Sequence, residues 1–268
     1  MAMNDLQLAR SATREGASAV RRLFGHLTSV DYKGKVDPVT AADRESEERI
    51  RTLVSRERPG DAFLGEEEGG NLENAERTWI VDPLDGTVNF VHGVPHVAVS
   101  VALYEGGQPL VGVVLDVFRR EEFHAITGGG AWLDDRRLAV SPTKSLDEAI
   151  VATGFPYDRR DRANEYAHTL GAVLARIQGL RRMGTASLDL TWIAAGRYDA
   201  YWELNLGPWD VAAGLLLVRE AGGVVTNRNG DTSTPLDDHF IASNALVHTE
   251  WRSLIDASLA GPRVDSAS

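Results

Sequence analysis

Three acidic clusters hold the residues best able to do chemistry in this 268-residue chain: Gly65-Glu66-Glu67-Glu68, Asp82-Pro83-Leu84-Asp85-Gly86-Thr87 and Trp209-Asp210. Singly, each has a plain structural reading: a solvated acidic loop, a strand end followed by an Asp-Gly turn, and an aspartate favoured by the dipole at a helix N-terminus. The middle cluster changes the weight. Trp79-Ile80-Val81 has the pattern of a buried strand that delivers Asp82 and Asp85 to an exposed strand end, and Pro83 restricts the turn between them. Two carboxylates brought that close both stay ionised only when a cation or a set of donors compensates them. Hard divalent ions such as Mg²⁺ take oxygen ligands, which carboxylates and an intervening main-chain carbonyl supply. Two such ions roughly 4 Å apart clamp an in-line attack on phosphorus, one activating water and the other steadying the leaving oxygen. The implied reaction is phosphate ester hydrolysis.

Composition removes several competing classes. With 28 basic and 39 acidic side chains the formal charge is −11, which argues against direct contact with a nucleic-acid backbone. The absence of cysteine excludes disulfides, thiolate nucleophiles and zinc-thiolate sites, and is compatible with a reducing cytoplasm. Met1 to Arg10 carries Asn4, Asp5 and Gln7 where a secretory peptide needs an apolar run. No stretch approaches the ~18 apolar residues of a membrane span, so a cytoplasmic protein with no membrane partner is expected.

The elements that must position the clusters follow from periodicity. Apolar residues at threes and fours predict a helix from Asn4 to Leu27, and a second from near Thr40 to Pro59 that aligns Asp43, Glu47, Ile50 and Val54 on one face. Ala62–Leu64, Trp79–Val81, Val97–Leu103, Leu110–Phe118 and Glu122–Ile126 read as strands of an antiparallel sheet, with Gly106-Gly107 turning one pair. Beyond Ser141 to Asp147 helix and strand alternate: strands at Ala149–Ala152, Tyr198–Glu203 and Val224–Thr226, helices at Asn164–Gln178, Ser187–Ala195 and Pro208–Ala221, and a last helix capped by Ser243 and running to Leu259. The expected architecture is layered α/β in two lobes, residues 1–145 carrying most candidate ligands and residues 146–268 carrying Asp210.

Gly65-Glu66-Glu67, Asp82-Pro-Leu-Asp-Gly-Thr-Val-Asn-Phe90 and Trp209-Asp-Val-Ala-Ala-Gly214 together resemble the inositol monophosphatase family of magnesium-dependent phosphomonoesterases. Asp37-Pro-Val-Thr-Ala-Ala-Asp43, Gly184-Thr185-Ala186 and Ala200-Tyr-Trp-Glu203 extend the likeness over nearly the whole chain. The resemblance implies the layered sugar-phosphatase fold, two or three Mg²⁺ ions, lithium sensitivity and a homodimer. It further implies that Glu66, Asp82, Asp85, the Leu84 carbonyl and Asp210 bind metal. Thr87 would pair with Glu66 to activate water, supported by Asp43. The amides around Gly86 and Thr87 would hold phosphate oxygens, alongside Asp85. Gly184, Thr185, Ala186, Glu203 and Asp210 would contact the polyol, the carboxylates accepting its hydroxyl hydrogens. The family often carries a lysine near a further metal position, for which both Lys33 and Lys35 are candidates. Glu67 is open to a water-mediated role or to solvent.

Other features carry less. Gly93 and Pro95 break any helix that would put His92 and His96 on one metal. Gly128-Gly129-Gly130 lacks the Lys-Ser or Lys-Thr of a phosphate loop and reads as a hairpin turn. Ser141 and Ser187 lack visible triad partners. Trp202 and Trp209 are the two tryptophans expected near the site. Arg159, Arg160 and Arg162 read as a solvated loop able to reach a neighbouring subunit's site. The expected function is Mg²⁺-dependent hydrolysis of a polyol or sugar phosphate, inositol monophosphate first. Histidinol phosphate, fructose 1,6-bisphosphate and 3′-phosphoadenosine nucleotides are alternative substrates, and a partner role in transcription is the alternative of a different class.

Overall fold

In the computed structural model, residues 3–26, 30–32, 38–70 and 76–259 are described. Lys33, Lys35, Asp37 and Leu27 lie outside them. Asn4 starts α1 (Asp5–Leu23), accepting the Gln7 amide at 2.8 Å while Gln7 returns a hydrogen bond to the Asn4 amide. A short ribbon of β1 (Asp31–Tyr32) and β2 (Pro38–Val39) leads to Thr40, the cap of α2 (Ala41–Glu57). The chain then builds a seven-stranded sheet from β3 (Ala62–Gly65), β4 (Arg77–Asp85), β5 (Ala98–Glu105), β6 (Gln108–Asp116), β7 (Glu121–Ile126), β8 (Gly130–Leu133) and β9 (Arg136–Arg137), in that spatial order. A short helix, α3 (Thr87–Val91), follows β4.

The second sheet begins at β10 (Ile150–Thr153) and has five strands. After α4 (Ala163–Leu174) come β11 (Gly179–Arg181), α5 (Ala186–Ala194), β12 (Ala200–Leu204), α6 (Pro208–Glu220), β13 (Val224–Thr226), β14 (His239–Ser243) and α7 (His248–Leu259). Their spatial order is β11-β10-β12-β14-β13, the first three parallel and β14 antiparallel to both neighbours.

Strand alternation decides the layers. Along β5, Val99, Val101 and Leu103 face α1 and α2, whereas Ala98, Ala102 and Tyr104 face α5 and α6. The α5–α6 pair is packed between the two sheets, and α4 and α7 cover the outer face of the second. This order of helix pair, sheet, helix pair, sheet, helix pair buries both faces of each sheet, which explains the near-continuous apolar run of α6 from Val211 to Val218.

Several expectations need correction. Ser243 does not cap the last helix: it is the final residue of β14, paired with both Ala200 and Val224, and α7 starts five residues later. The helix expected to reach Gln178 stops at Leu174, because the Gln178 and Gly179 amides donate to the Ala149 carbonyl and enter the sheet. The first sheet is antiparallel except for β3 and β4, which run parallel. The first helix ends at Leu23, where the Phe24 backbone turns extended.

Candidate active site

The β4 strand carries the centre of the site. Its register against β5 slips between Asp82 and Asp85, a bulge that turns both carboxylates to the same side. Asp82 accepts the Leu84 amide at 3.0 Å, closing the turn over Pro83. Gly86 follows at φ 94°, a left-handed conformation suited to glycine, and a Cβ there would stand 2.7 Å from the Thr185 hydroxyl. The expected exposed strand end is instead interior: Asp82 is 1% and Asp85 7% exposed. The cover comes from α5, whose Ser187 amide donates to Asp85 at 2.7 Å, so a helix N-terminus compensates one of the charges.

From α6, Asp210 reaches the same point, its carboxylate accepting the Gly207 amide at 2.7 Å. Oxygens of Asp82, Asp85 and Asp210 all lie within 4.8 Å of one another. Glu66, in the turn after β3, lines the same cavity of about 420 Å³. Burial, reinforced by Glu66, Asp85 and Asp210, holds Asp82 well above the ordinary carboxylate range. Burial and the charges of Asp85 and Glu66 do the same to Asp210. Burial lifts Asp85 to about 6 against the opposing hydrogen bonds from Ser187 and Ala186. Such a convergence of hard oxygen donors, with too few hydrogen-bond donors to neutralise it, fits divalent cations of the Mg²⁺ type.

A second layer of contacts surrounds this centre. Thr87 donates to Asp43 Oδ1 at 3.0 Å and approaches the Leu84 carbonyl at 3.1 Å, while Asp43 Oδ2 accepts the Thr40 amide at 2.8 Å and its hydroxyl at 2.6 Å. Burial lifts Asp43 to about 6 despite those donors. Across the cavity, Glu203 on β12 accepts the Tyr201 hydroxyl at 2.6 Å and is raised by burial to about 7. A Cβ at Gly154 would overlap the Glu203 carboxylate, so only glycine leaves that carboxylate its place.

The structure thus brings Glu66, Asp82, Leu84, Asp85, Gly86, Thr87, Gly184, Ala186, Glu203 and Asp210 to one cavity. Thr185 turns its hydroxyl to the His96 carbonyl at 3.0 Å and braces the turn from beneath. Trp209 lines the cavity, but Trp202 packs edge-on against Trp251 in the core. Arg159, read from the sequence as part of a solvated loop, lines the cavity of its own chain. His96 is buried with Arg119 at 3.1 Å, and Ser141 is hydrogen-bonded to Asp199. Sequence reasoning missed Phe155, Asn205 and Arg182 on the cavity wall, Arg182 with its guanidinium 5.7 Å from the Phe155 ring centre. It also missed Asp189, whose buried carboxylate has no hydrogen-bond partner among the described residues and is held well above its usual range by burial, Glu203 and Asp85. Only the nearness of Arg182 to Gly184 in the chain hinted at any of these.

The chain is thus a layered α/β protein whose acidic cavity, beside the α5–α6 layer, gathers hard oxygen donors suited to divalent cations. The profile of the inositol monophosphatase family matches residues 3–260, and the chain belongs to that family. It is 45% identical over 244 residues to the Nus factor SuhB of Pseudomonas aeruginosa, covering 89% of each chain. To an inositol-1-monophosphatase of Rhizobium meliloti it is 45% identical over 254 residues, covering 93% of this chain and 95% of that one. The crystal structure of the extragenic suppressor protein suhB from Bartonella henselae superposes with a TM-score of 0.88 at 39% identity, over 92% of this chain and 96% of that one.

Proposed function

We propose that the chain hydrolyses phosphate monoesters of polyols in a Mg²⁺-dependent reaction, with inositol monophosphate the preferred substrate. The observation that carries the reading is the meeting of Asp82, Asp85 and Asp210 oxygens within 4.8 Å, beside Glu66, in a cavity large enough for a sugar-sized ligand. Divalent ions held by Glu66, Asp82, Asp85, Asp210 and the Leu84 carbonyl would supply the positive charge that lowers the barrier to attack by water and departure of the alkoxide.

The chain's own residues do the rest. Asp43 holds the Thr87 hydroxyl, and Thr87 with Glu66 orients the attacking water. The turn amides of Gly86 and Thr87 cradle phosphate oxygens. Glu203 accepts polyol hydroxyl hydrogens when ionised, with Asp210, Gly184 and Ala186 completing the contact, while Thr185 braces the turn from behind. The resemblance alone supports two or three ions, lithium inhibition, a homodimer and a cytoplasmic setting. Two lobes, 1–145 and 146–268, are supported by the first sheet ending at Arg137 and the second starting at Ile150. A transcription role has the name of the Pseudomonas relative behind it, whereas hydrolysis has the carboxylate geometry. Phosphate release from inositol 1-phosphate, histidinol phosphate, fructose 1,6-bisphosphate and 3′-phosphoadenosine 5′-phosphate, with and without Mg²⁺, tests the proposal. Mg²⁺-dependent release, fastest from inositol 1-phosphate, is expected; no release from any ester at saturating Mg²⁺ would overturn it.

A further inference from the structure

We propose that Glu47 is a positioning residue for Glu66, a latch on α2 that sets where this carboxylate stands; the inference rests on the metal-dependent reading above. Glu47 is 1% exposed, although a glutamate on a surface helix ordinarily reaches solvent. Its two carboxylate oxygens accept the two backbone amides that follow Glu66: Glu67 donates to Oε2 at 2.9 Å and Glu68 to Oε1 at 3.1 Å. On the other side of Glu66, a Cβ at Gly65 would overlap the Glu47 carboxylate, so the absence of a side chain there lets the latch close.

The latch is itself fixed. Arg51, one turn along α2, donates to Glu47 Oε1 at 2.8 Å and stands 3.1 Å from the Glu68 carboxylate, with its guanidinium 4.1 Å from the Phe63 ring centre. The strand before the turn is anchored too, with Gly65 in register with Val81 and its amide donating to the Gly69 carbonyl at 3.1 Å. Docking of α2 does not need Glu47, because Ala42, Ile50 and Val54 already bury that helix in the core. Asp43 sits one turn before Glu47 on the same face and holds Thr87. A single helix therefore places both partners of the pair that orients water.

The test uses Glu47→Gln, Glu66→Gln and the double variant as metal-free full-length protein, with Mg²⁺ affinity read by calorimetry and amide exchange read over residues 65–69. Glutamine keeps the shape but turns an NH₂ toward one of the two amides, so exchange at Glu67 and Glu68 should quicken. Mg²⁺ should bind about tenfold more weakly, as for other residues that orient a ligand. Adding Glu47→Gln to Glu66→Gln should then change affinity less than twofold, because one acts through the other. Should Glu47→Gln melt, Arg51→Met retains the carboxylate while loosening it, and a few-fold loss of Mg²⁺ affinity is expected. Parental Mg²⁺ affinity in Glu47→Gln beside a weakened Glu66→Gln, or additive losses in the double variant, would overturn the latch alone. Parental affinity in Glu66→Gln would remove the metal role of Glu66 and the latch with it.

Discussion

The two sides of the cavity hold their carboxylates by different means. On the α2 and β4 side, Asp43 accepts from Thr40 and Thr87, and Glu47 accepts from two turn amides and Arg51, so position is set by direct hydrogen bonds. On the α5 and β12 side, Asp189 has no hydrogen-bond partner among the described residues, and Glu203, raised to about 7, accepts the Tyr201 hydroxyl. The first side is built for fixed geometry. The second holds its buried acids with fewer donors, although raised carboxylates stand on both sides, Asp43 and Asp82 on the first and Asp189 and Glu203 on the second. Asp85 belongs to both, standing on β4 and held by the first amides of α5.

Because Asp85 joins the two sides, Asp85→Asn should do the most damage. Phosphate release at saturating Mg²⁺ should fall more than about a hundredfold, beyond the usual loss for a group that only orients a ligand, while the circular dichroism spectrum stays parental. Turnover within a few-fold of parent would break the comparison at its seam. Asp43→Asn attacks the fixed side alone. It should lower kcat about tenfold to a hundredfold with little change in KM, since it loosens Thr87 without touching substrate.

The opposite split is expected on the α5 and β12 side. Gly154→Ala displaces the Glu203 carboxylate and should raise KM about tenfold with kcat nearly kept, the cost of one charge-assisted hydrogen bond. A change in kcat alone would place Glu203 away from the polyol.

Stability should show the smallest effect. Asp43 and Asp85 at about 6 and Glu203 at about 7 lie above the ordinary carboxylate value, so the folded protein binds more protons than the unfolded chain. The stability they contribute is present at low pH and is lost as pH rises through those values. His96 and His248, lowered to about 4 by burial, oppose this from about pH 7.5 downward, because in the unfolded chain they are already half charged at pH 6.5. Between pH 8 and 6.5 the histidines offset much of the gain from Asp43, Asp85 and Glu203, but Asp82, Asp189 and Asp210 are raised further still, so the metal-free Tm should rise by about 1–2 °C on acidification, and the increment that Mg²⁺ adds should shrink, because its ligands must be deprotonated. A metal-free Tm that falls over that window would contradict the high carboxylate values.

The parts of this arrangement legible in the sequence are those written in short segments. The bulged Asp-Pro-Leu-Asp-Gly-Thr turn, the Thr40 cap with Asp43 and the Pro208-Trp-Asp helix start each announce themselves locally, and the resemblance joins them. What stayed hidden depends on distant partners. Asp82 and Asp85 read as exposed because an Asp-Gly turn usually is, yet the cover over Asp85 comes from Ser187, 102 positions away. Glu47 was visible on the helical face of Asp43, but its partners are amides some twenty residues on, which periodicity does not report. Ser243 resembled a helix cap because serine before a helical pattern has two uses, and pairing with β12 and β13 claims it first.

The proposed chemistry requires Glu66, Asp82, Asp85 and Asp210 to share divalent ions. Anomalous diffraction from crystals soaked in Mn²⁺ tests it most directly. At least two manganese peaks are expected in the cavity, in contact with Asp82, Asp85 and Asp210 and with Glu66 on one of them. Crystals of protein that hydrolyses inositol 1-phosphate in Mn²⁺, but whose four carboxylates carry no manganese, would contradict it.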